Sequence, residues 1–239
     1  VGIVRDLLDL EGCDPVVRSR VLQSVDSLAS MGAEVGEVDL PSCQYGLPAY
    51  YIIGPAEASS NLARFDGIRY GHRAADPTDV MDLYMRSRAE GFGAESIRRI
   101  MLGTYALSAG YYDAYYGQAQ KVRTLIIRDF ERAFADFDVL ITPTTPTTAF
   151  RLGEKFEDPV SMYLSDVFTI PVNLAGIPAV SVPCGMIDGL PVGLQVMGRH
   201  FGEADILRVA HAVEATSDFS PVPPTVTALG EARGSVTAP

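Results

Sequence analysis

The sequence predicts an α/β protein in which helices flank a central parallel or mixed sheet. Residues 1–40 contain a short apolar run, an amphipathic helical pattern and a second short run, which is the order of a βαβ unit. Later, AVSVP at 179–183 and VGLQVMG at 192–198 are short apolar runs typical of adjacent strands. A hydrophobic content of 47% over 239 residues is ordinary for a globular fold.

The βαβ unit is defined by its boundary residues. VGIV at 1–4 is predicted to be a core strand, and the helix after it has Asp14 as a candidate N-cap and Pro15 in its first turn. Gly32 marks the predicted helix end. AEVGEVDLP at 33–41 then alternates apolar and acidic residues, which predicts the second strand.

Residues 41–93 are rich in Gly, Pro, Asn and Asp, and this predicts loops with short helices. Within them, EASSNLARFDGIRYG at 57–71 carries amide, hydroxyl, carboxylate, guanidinium and phenol groups but few large apolar side chains. Such a run buries little apolar area, so its order depends on hydrogen bonds or a ligand. We interpret it as the wall of a binding site, with a plain surface loop as the alternative.

The second half alternates helical and strand patterns. Long helices are predicted at about 95–109 and 111–137, and DVLITPT begins a strand directly after them. Five tyrosines at 105, 111, 112, 115 and 116 are expected to stack on one helix face. A last helix is predicted at 203–216, whereas the Pro-, Thr- and Ser-rich residues 217–239 predict a disordered tail. The predicted domain therefore covers residues 1–216.

Composition argues against several functional classes. A net charge of −11 disfavours a chain that grips RNA alone. The three cysteines are widely spaced and show no ligand pattern, so neither a disulfide framework nor a metal site is predicted. No phosphate-binding loop or dinucleotide fingerprint predicts a cofactor in this chain. No apolar stretch of membrane-spanning length occurs, and we expect a cytoplasmic protein without membrane association.

Three positions could carry recognition chemistry. Arg98 and Arg99 are neighbours on a predicted helix, so they point about 100° apart, and an inward guanidinium needs an anionic partner. An internal salt bridge to Glu90 or Glu95 would satisfy that need. Asp166 lies in the apolar run MYLSDVFTIPVNLAG and would need a cation or a helix cap, and Tyr50 is one of two adjacent tyrosines that could simply pack.

Several longer motifs carry a family resemblance. They are the run at 57–71, RSRAEGFG at 86–93, RRIMLGTYALSAGYYDAYYGQAQKVRTLI at 98–126 and PVNLAGIPAVSVPCG at 171–185. Together they closely resemble the amidase-signature family, in particular its A subunits of bacterial glutamyl-tRNA(Gln)/aspartyl-tRNA(Asn) amidotransferases. The resemblance extends from residue 1 to about 215 and implies the amidase-signature fold.

The resemblance also exposes a missing feature. That family works with a Lys, Ser, Ser triad in a Gly/Ser-rich signature of the GGSSGGS kind, and this chain has no such segment. Its only lysines, Lys121 and Lys155, have no serine cluster near them, and it opens on Val1 inside an apolar run. The resemblance therefore implies a C-terminal half without its N-terminal half. We expect no catalytic residue in this chain and no activity of the chain alone.

The resemblance assigns a glutamine-binding role to Tyr50, Arg99 and Asp166. Arg99 would clamp the α-carboxylate, Asp166 would bind the α-ammonium, and the hydroxyl of Tyr50, rather than that of Tyr51, would hydrogen-bond the substrate. The loop beside the pocket would be ordered by Asn61, Arg64 and Asp66.

The whole complex implied by the resemblance hydrolyses glutamine and uses the ammonia to form Gln-tRNA(Gln) from Glu-tRNA(Gln). A B-type partner would handle ATP, Mg²⁺ and the tRNA, and a small C-type partner would embrace this subunit. Two alternatives stay open: a piece of a stand-alone amidase acting on another small amide, and a non-catalytic acidic binding module.

Overall fold

A computed structural model describes residues 1–10, 12–154 and 159–219. Within these residues the chain is α/β, with a mixed sheet flanked by helices, which confirms the predicted class. Residues 220–239 of the predicted tail lie outside the described residues. The α-helices are α1 (Arg5–Leu8), α2 (Pro15–Ser30), α3 (Gly46–Leu62), α4 (Val80–Gly91), α5 (Ala94–Ala106), α6 (Gly117–Asp136), α7 (Pro159–Leu164), α8 (Ile170–Ala175) and α9 (Glu203–Thr216).

The strands of the described residues form one sheet in the order β2-β1-β3-β5-β4. β1 pairs in parallel with both β2 and β3, whereas β5 pairs antiparallel with β3 and β4. The predicted βαβ unit and the adjacent pair AVSVP and VGLQVMG are therefore confirmed. The strands are β1 (Gly2–Val4), β2 (Gly36–Val38), β3 (Val139–Pro143), β4 (Ala179–Ile187) and β5 (Leu190–Gly198).

Two hydrophobic clusters cover opposite faces of the sheet. Alternate residues of β3 take part in different clusters: Leu140 packs with α3, α6 and α8, whereas Val139 and Ile141 pack with α2 and α9. This alternation follows from the period of two in a strand. The central strands are buried on both faces because helices cover each side, as expected for a sheet with a parallel section.

The ends of α2 follow the sequence signals. The carboxylate of Asp14 accepts a hydrogen bond from the backbone N–H of Val16 at 2.7 Å, and Pro15 occupies the first helical position. Beyond the helix, Gly32 has a φ of +99°, a left-handed conformation that favours glycine.

The prediction of mainly irregular structure at 41–93 is wrong. This segment contains a 3-10 helix (Pro41–Tyr45), the 17-residue α3 and the 12-residue α4. Burial of Ala49, Ile53 and Ala56 stabilises α3 against the breaking tendency of Gly54 and Pro55. Tertiary packing therefore overrides the local propensity.

The tyrosines also depart from the single predicted helix. Tyr105 lies in α5, the chain turns through Gly110 at a φ of +89°, and a π-helical turn (Tyr112–Tyr116) precedes α6. The rings nevertheless pack in tilted pairs, with centroids 4.3 Å apart for Tyr105 and Tyr111. The corresponding separation is 5.2 Å for Tyr112 and Tyr116. Packing among tyrosines is confirmed, although it joins two helical segments.

The three cysteines, Cys13, Cys43 and Cys184, are buried and free. Among the described helices, none is both long enough and apolar enough to cross a membrane.

Helices α3 and α5 approach closely at Gly103. A Cβ added to Gly103 would collide with the carbonyl oxygen of Pro55 and would lie 2.8 Å from Oγ of Ser59. The helix backbones can therefore lie this near each other only if position 103 has no side chain. This contact fixes α5 relative to α3.

We expect Gly103→Ala to lower the free energy of unfolding by about 2 kcal/mol, because the added methyl group forces the two helices apart. Gly117→Ala is the matched control, since a Cβ there meets its nearest neighbour, the carbonyl oxygen of Tyr112, at an ordinary 3.6 Å. Urea denaturation followed by circular dichroism measures both variants. Equal stabilities of the two variants would contradict the close-approach argument.

Candidate functional site

A cleft on the facing sides of α3 and α5 brings together Tyr50 and Arg99, two of the candidate recognition residues. It encloses only about 10 Å³, so an amino-acid-sized molecule would have to lie across its mouth rather than inside it. The cleft is lined by Tyr50, Tyr51, Pro55, Glu95, Arg98, Arg99 and Leu102.

Glu95 binds both arginines of the cleft. Its Oε1 accepts from Nε of Arg99 at 2.8 Å, and its Oε2 accepts from Nε and Nη2 of Arg98 at 2.9 and 2.6 Å. Glu95 lies in the first turn of α5, where the helix dipole also favours a negative charge. Of the two internal partners considered from sequence, Glu95 is the one found, while Glu90 pairs with His72 and Arg86.

Arg99 also contacts the first candidate tyrosine. Its Nη1 lies 3.4 Å from the hydroxyl oxygen of Tyr50, a long hydrogen bond. The Tyr50 ring packs over its own helix at Gly54, where an added Cβ would lie 3.0 Å from the ring. The structure thus brings Tyr50 and Arg99 together, one from α3 and one from α5.

Tyr51 connects this pair to the segment that carries Asp166. Its ring centroid lies 4.4 Å from that of Tyr163 in α7 and 5.3 Å from that of Tyr50. Burial raises the pKa of Tyr51 to about 12, with further increases from Tyr163, Tyr50 and Asp166 and a decrease from Arg99. Through Tyr163 the cleft therefore adjoins α7, the helix that precedes Asp166.

Asp166 lies in the turn between α7 and α8 and is exposed. Its backbone carbonyl accepts from the N–H of Ile170 at 2.9 Å and from the hydroxyl of Thr169 at 3.1 Å. Among the described residues its carboxylate forms no ion pair. The argument that burial would force a cation onto Asp166 is wrong, since its neighbour Phe168 takes the buried place and leaves the carboxylate in solvent.

A buried amide anchors this turn to the sheet. Nε2 of Gln195 in β5 donates to the carbonyl of Phe168 at 3.1 Å and to the hydroxyl of Thr142 at 3.0 Å. Both Phe168 and Thr142 are fully buried, so these hydrogen bonds are made away from water. The buried hydrogen bond of Phe168 therefore fixes the backbone two residues after Asp166.

Asn61, Arg64 and Asp66 order the backbone after α3 and do not line the cleft. Arg64 Nε donates to the carbonyl of Asn61 at 2.9 Å. The Asp66 carboxylate accepts from the N–H groups of Arg69 and Ile68 at 3.0 and 2.9 Å, and these hydrogen bonds lower the pKa of Asp66 to about 2. These contacts place the three residues at the end of α3, and their role beside a binding pocket stays a prediction.

Sequence reasoning did not place Tyr51 or Tyr163 in the site, and it considered Glu95 as a partner of an arginine without assigning it to both. A signal existed for Glu95, because it lies three and four residues before Arg98 and Arg99, the spacing at which helix side chains meet. No sequence signal pairs Tyr51 with Tyr163, since they are distant in the chain and meet only through tertiary packing.

Comparison with known proteins adds the family context. A family model described as Amidase matches residues 1–207. The A subunit of glutamyl-tRNA(Gln) amidotransferase from Brevibacillus brevis is 59% identical over 220 residues, which cover 92% of this chain and 45% of that protein. The corresponding protein from Symbiobacterium thermophilum is 56% identical over 230 residues, 96% of this chain and 47% of that protein. The chain therefore spans somewhat less than half the length of these relatives.

Solved structures agree on the fold. The crystal structure of the A subunit of glutamyl-tRNA(Gln) amidotransferase from Thermotoga maritima superposes with a TM-score of 0.69 at 39% identity, covering 92% of this chain and 42% of that one. A 6-aminohexanoate cyclic dimer hydrolase superposes with a TM-score of 0.68 at 20% identity, over 95% of this chain and 46% of that one. The second likeness concerns the fold alone. The expected amidase-signature fold is confirmed.

The ion pairs of Glu95 with Arg98 and Arg99 predict that the stability of the protein depends on pH. Hydrogen bonds from Arg99 and then Arg98 hold the pKa of Glu95 below its ordinary value of 4.5. Its contribution to stability is therefore complete above the unfolded-state pKa and is lost as the pH falls through the lower, folded-state pKa. A carboxyl ¹³C NMR titration is expected to show a depressed midpoint for Glu95 that rises in Arg99→Ala.

The control for this titration is Glu90. A hydrogen bond with His72, outside the cleft, holds the pKa of Glu90 low, so its midpoint is expected to stay unchanged in Arg99→Ala. A Glu95 midpoint that also stays unchanged would show that the bridge does not persist in solution.

Proposed function

Because this chain belongs to the Amidase family, whose model matches residues 1–207, we propose that it supplies the glutamine-recognising part of a glutamyl-tRNA(Gln) amidotransferase, within its A-type subunit. The support from comparison is the identity of 54–59% to such subunits over most of this chain. The support from geometry is the contact of Arg99 with Tyr50 in a cleft whose second tyrosine, Tyr51, packs on Tyr163 of α7, the helix that precedes Asp166.

The grouping matches the charges of a free amino acid. A planar guanidinium binds a carboxylate in a two-point geometry, so Arg99 takes the α-carboxylate. The exposed carboxylate of Asp166 takes the α-ammonium, and the hydroxyl of Tyr50 beside Arg99 adds a directional hydrogen bond. The single observation that carries the proposal is the contact of Arg99 with Tyr50 at 3.4 Å in the cleft between α3 and α5.

The nucleophile of the proposed reaction is supplied from outside these 239 residues. In the proposed mechanism a serine attacks the glutamine amide, ammonia leaves, and water hydrolyses the acyl-enzyme. The 239 residues contain Lys121 and Lys155 but no lysine within a Gly/Ser-rich signature. This chain contributes binding and orientation, which accelerate the reaction by holding the amide in line with the nucleophile.

The proposed complex divides its substrates among its components. A B-type partner binds ATP, Mg²⁺ and Glu-tRNA(Gln), and a small C-type partner embraces this subunit. The net charge of −11 supports this division, because an acidic chain repels the tRNA backbone. The ammonia converts Glu-tRNA(Gln) to Gln-tRNA(Gln) in the cytoplasm.

We expect the purified 239-residue chain to release no ammonia from glutamine above a mock preparation. The physical reason is that it binds the substrate but carries no activated nucleophile. A coupled glutamate dehydrogenase assay measures the ammonia. Turnover that survives repeated purification would contradict the placement of the nucleophile outside this chain.

Glutamine binding tests the recognition site itself. We expect Arg99→Ala to weaken L-glutamine binding by at least about tenfold, the effect of removing a charge-assisted hydrogen bond. Asp166→Asn should weaken it similarly, and Tyr50→Phe less. Chemical-shift titration of the labelled chain measures the dissociation constants.

The matched control is Arg208→Ala, which removes an arginine paired with an aspartate three residues away on α9, outside the cleft. It should leave binding unchanged. Equal affinity of Arg99→Ala and the wild type would refute the assigned clamp and would favour an amidase that acts on a small amide without an α-carboxylate.

A further inference from the structure

One carboxylate in the cleft is shared by two guanidinium groups. Glu95 uses one oxygen for each arginine, and all three side chains are partly exposed at the mouth of the cleft. The group of Glu95, Arg98 and Arg99 therefore carries a net charge of +1 rather than +2.

Among the residues that the structure describes, the hydrogen bonds of Arg99 leave its Nη2 open to a ligand. Glu95 occupies Nε of Arg99, while Nη1 of Arg99 points to the hydroxyl of Tyr50. Arg98 instead presents both Nε and Nη2 to Glu95. A ligand carboxylate can therefore bind the terminal nitrogens of Arg99 without displacing Glu95, whereas Arg98 is largely satisfied by the protein.

We propose that Glu95 determines specificity by cancelling one of the two guanidinium charges, so that the cleft selects an amino acid with one carboxylate and a neutral amide over one with two carboxylates. The inference rests on the proposed function, because it concerns the ligand of that same site. In chemical terms Glu95 favours glutamine, the amide substrate, over glutamate, the product of its hydrolysis.

The physical basis is the balance of charge at a partly exposed site. With Glu95 present, the α-carboxylate of the ligand neutralises the remaining positive charge, and a second carboxylate would meet Glu95 itself. Without that negative charge, Arg98 keeps its contact with the ring of Tyr163 and can attract the second carboxylate. Charges a few ångströms apart at an exposed site change a binding ratio by a modest factor, about fivefold.

The test compares glutamine with glutamate in Glu95→Gln. This variant keeps the side-chain size and a carbonyl oxygen that can accept from Arg99, but it removes the negative charge. We expect the ratio of the dissociation constants of glutamate and glutamine to fall about fivefold relative to the wild type. Titrations of the 239-residue chain with each amino acid, followed by NMR, give both constants.

Glu90→Gln is the matched control. It removes another helix glutamate, which lies on α4 and pairs with His72 and Arg86. The ratio of the two dissociation constants should stay unchanged. A fall of equal size in this control would assign the effect to the overall charge and overturn the inference.

The remaining outcomes separate the two proposals. If glutamine and glutamate both weaken equally in Glu95→Gln, then Glu95 only orients Arg99, and the specificity role is refuted while the binding site stands. The specificity role is also refuted if Glu95→Gln changes neither the ratio of the dissociation constants nor the affinity for glutamine. If the wild-type chain binds neither amino acid, the proposed function fails for this chain and the inference fails with it.

Discussion

The close approach of α3 and α5 is the constraint on which the candidate site depends. Gly103 lets the α5 backbone rest against the carbonyl of Pro55, and no other residue type fits there without moving one helix. Arg99 lies one turn before Gly103, and Tyr50 and Tyr51 lie about one turn before Pro55. The same contact that packs the helices therefore sets the distance between the guanidinium and the two phenols.

The electrostatics of the cleft follow from that geometry. Two arginines at adjacent helix positions would repel each other, and a carboxylate three and four residues earlier resolves the repulsion within one helix. Because this solution is local to α5, the cleft needs no anion from another element to be stable. Glu95, Arg98 and Arg99 together keep a net charge of +1. The hydroxyl of Tyr50 adds a neutral hydrogen-bonding group beside Arg99.

The sequence predicted the parts of this arrangement that depend on local pattern. The βαβ unit, the β4 and β5 strands and helix α9 were predictable because hydrophobic periodicity determines which faces are buried. Helix α3 was not, since Gly54 and Pro55 disfavour a helix locally and only the packing of Ala49, Ile53 and Ala56 stabilises it. The contact of Tyr51 with Tyr163 could not be predicted either, because residues from distant segments share no periodic pattern in the sequence.

The exposure of the candidate recognition residues describes the shape of the candidate site. Asp166 is in solvent, Arg99 is half-buried, and the cleft between them encloses about 10 Å³. A small-molecule site normally surrounds most of its ligand. These residues therefore form one wall, held from behind by Gly103 and by the buried hydrogen bonds of Gln195. Side chains fixed on a packed scaffold keep their geometry without a ligand, which is the condition for aligning a substrate at a candidate site of this kind.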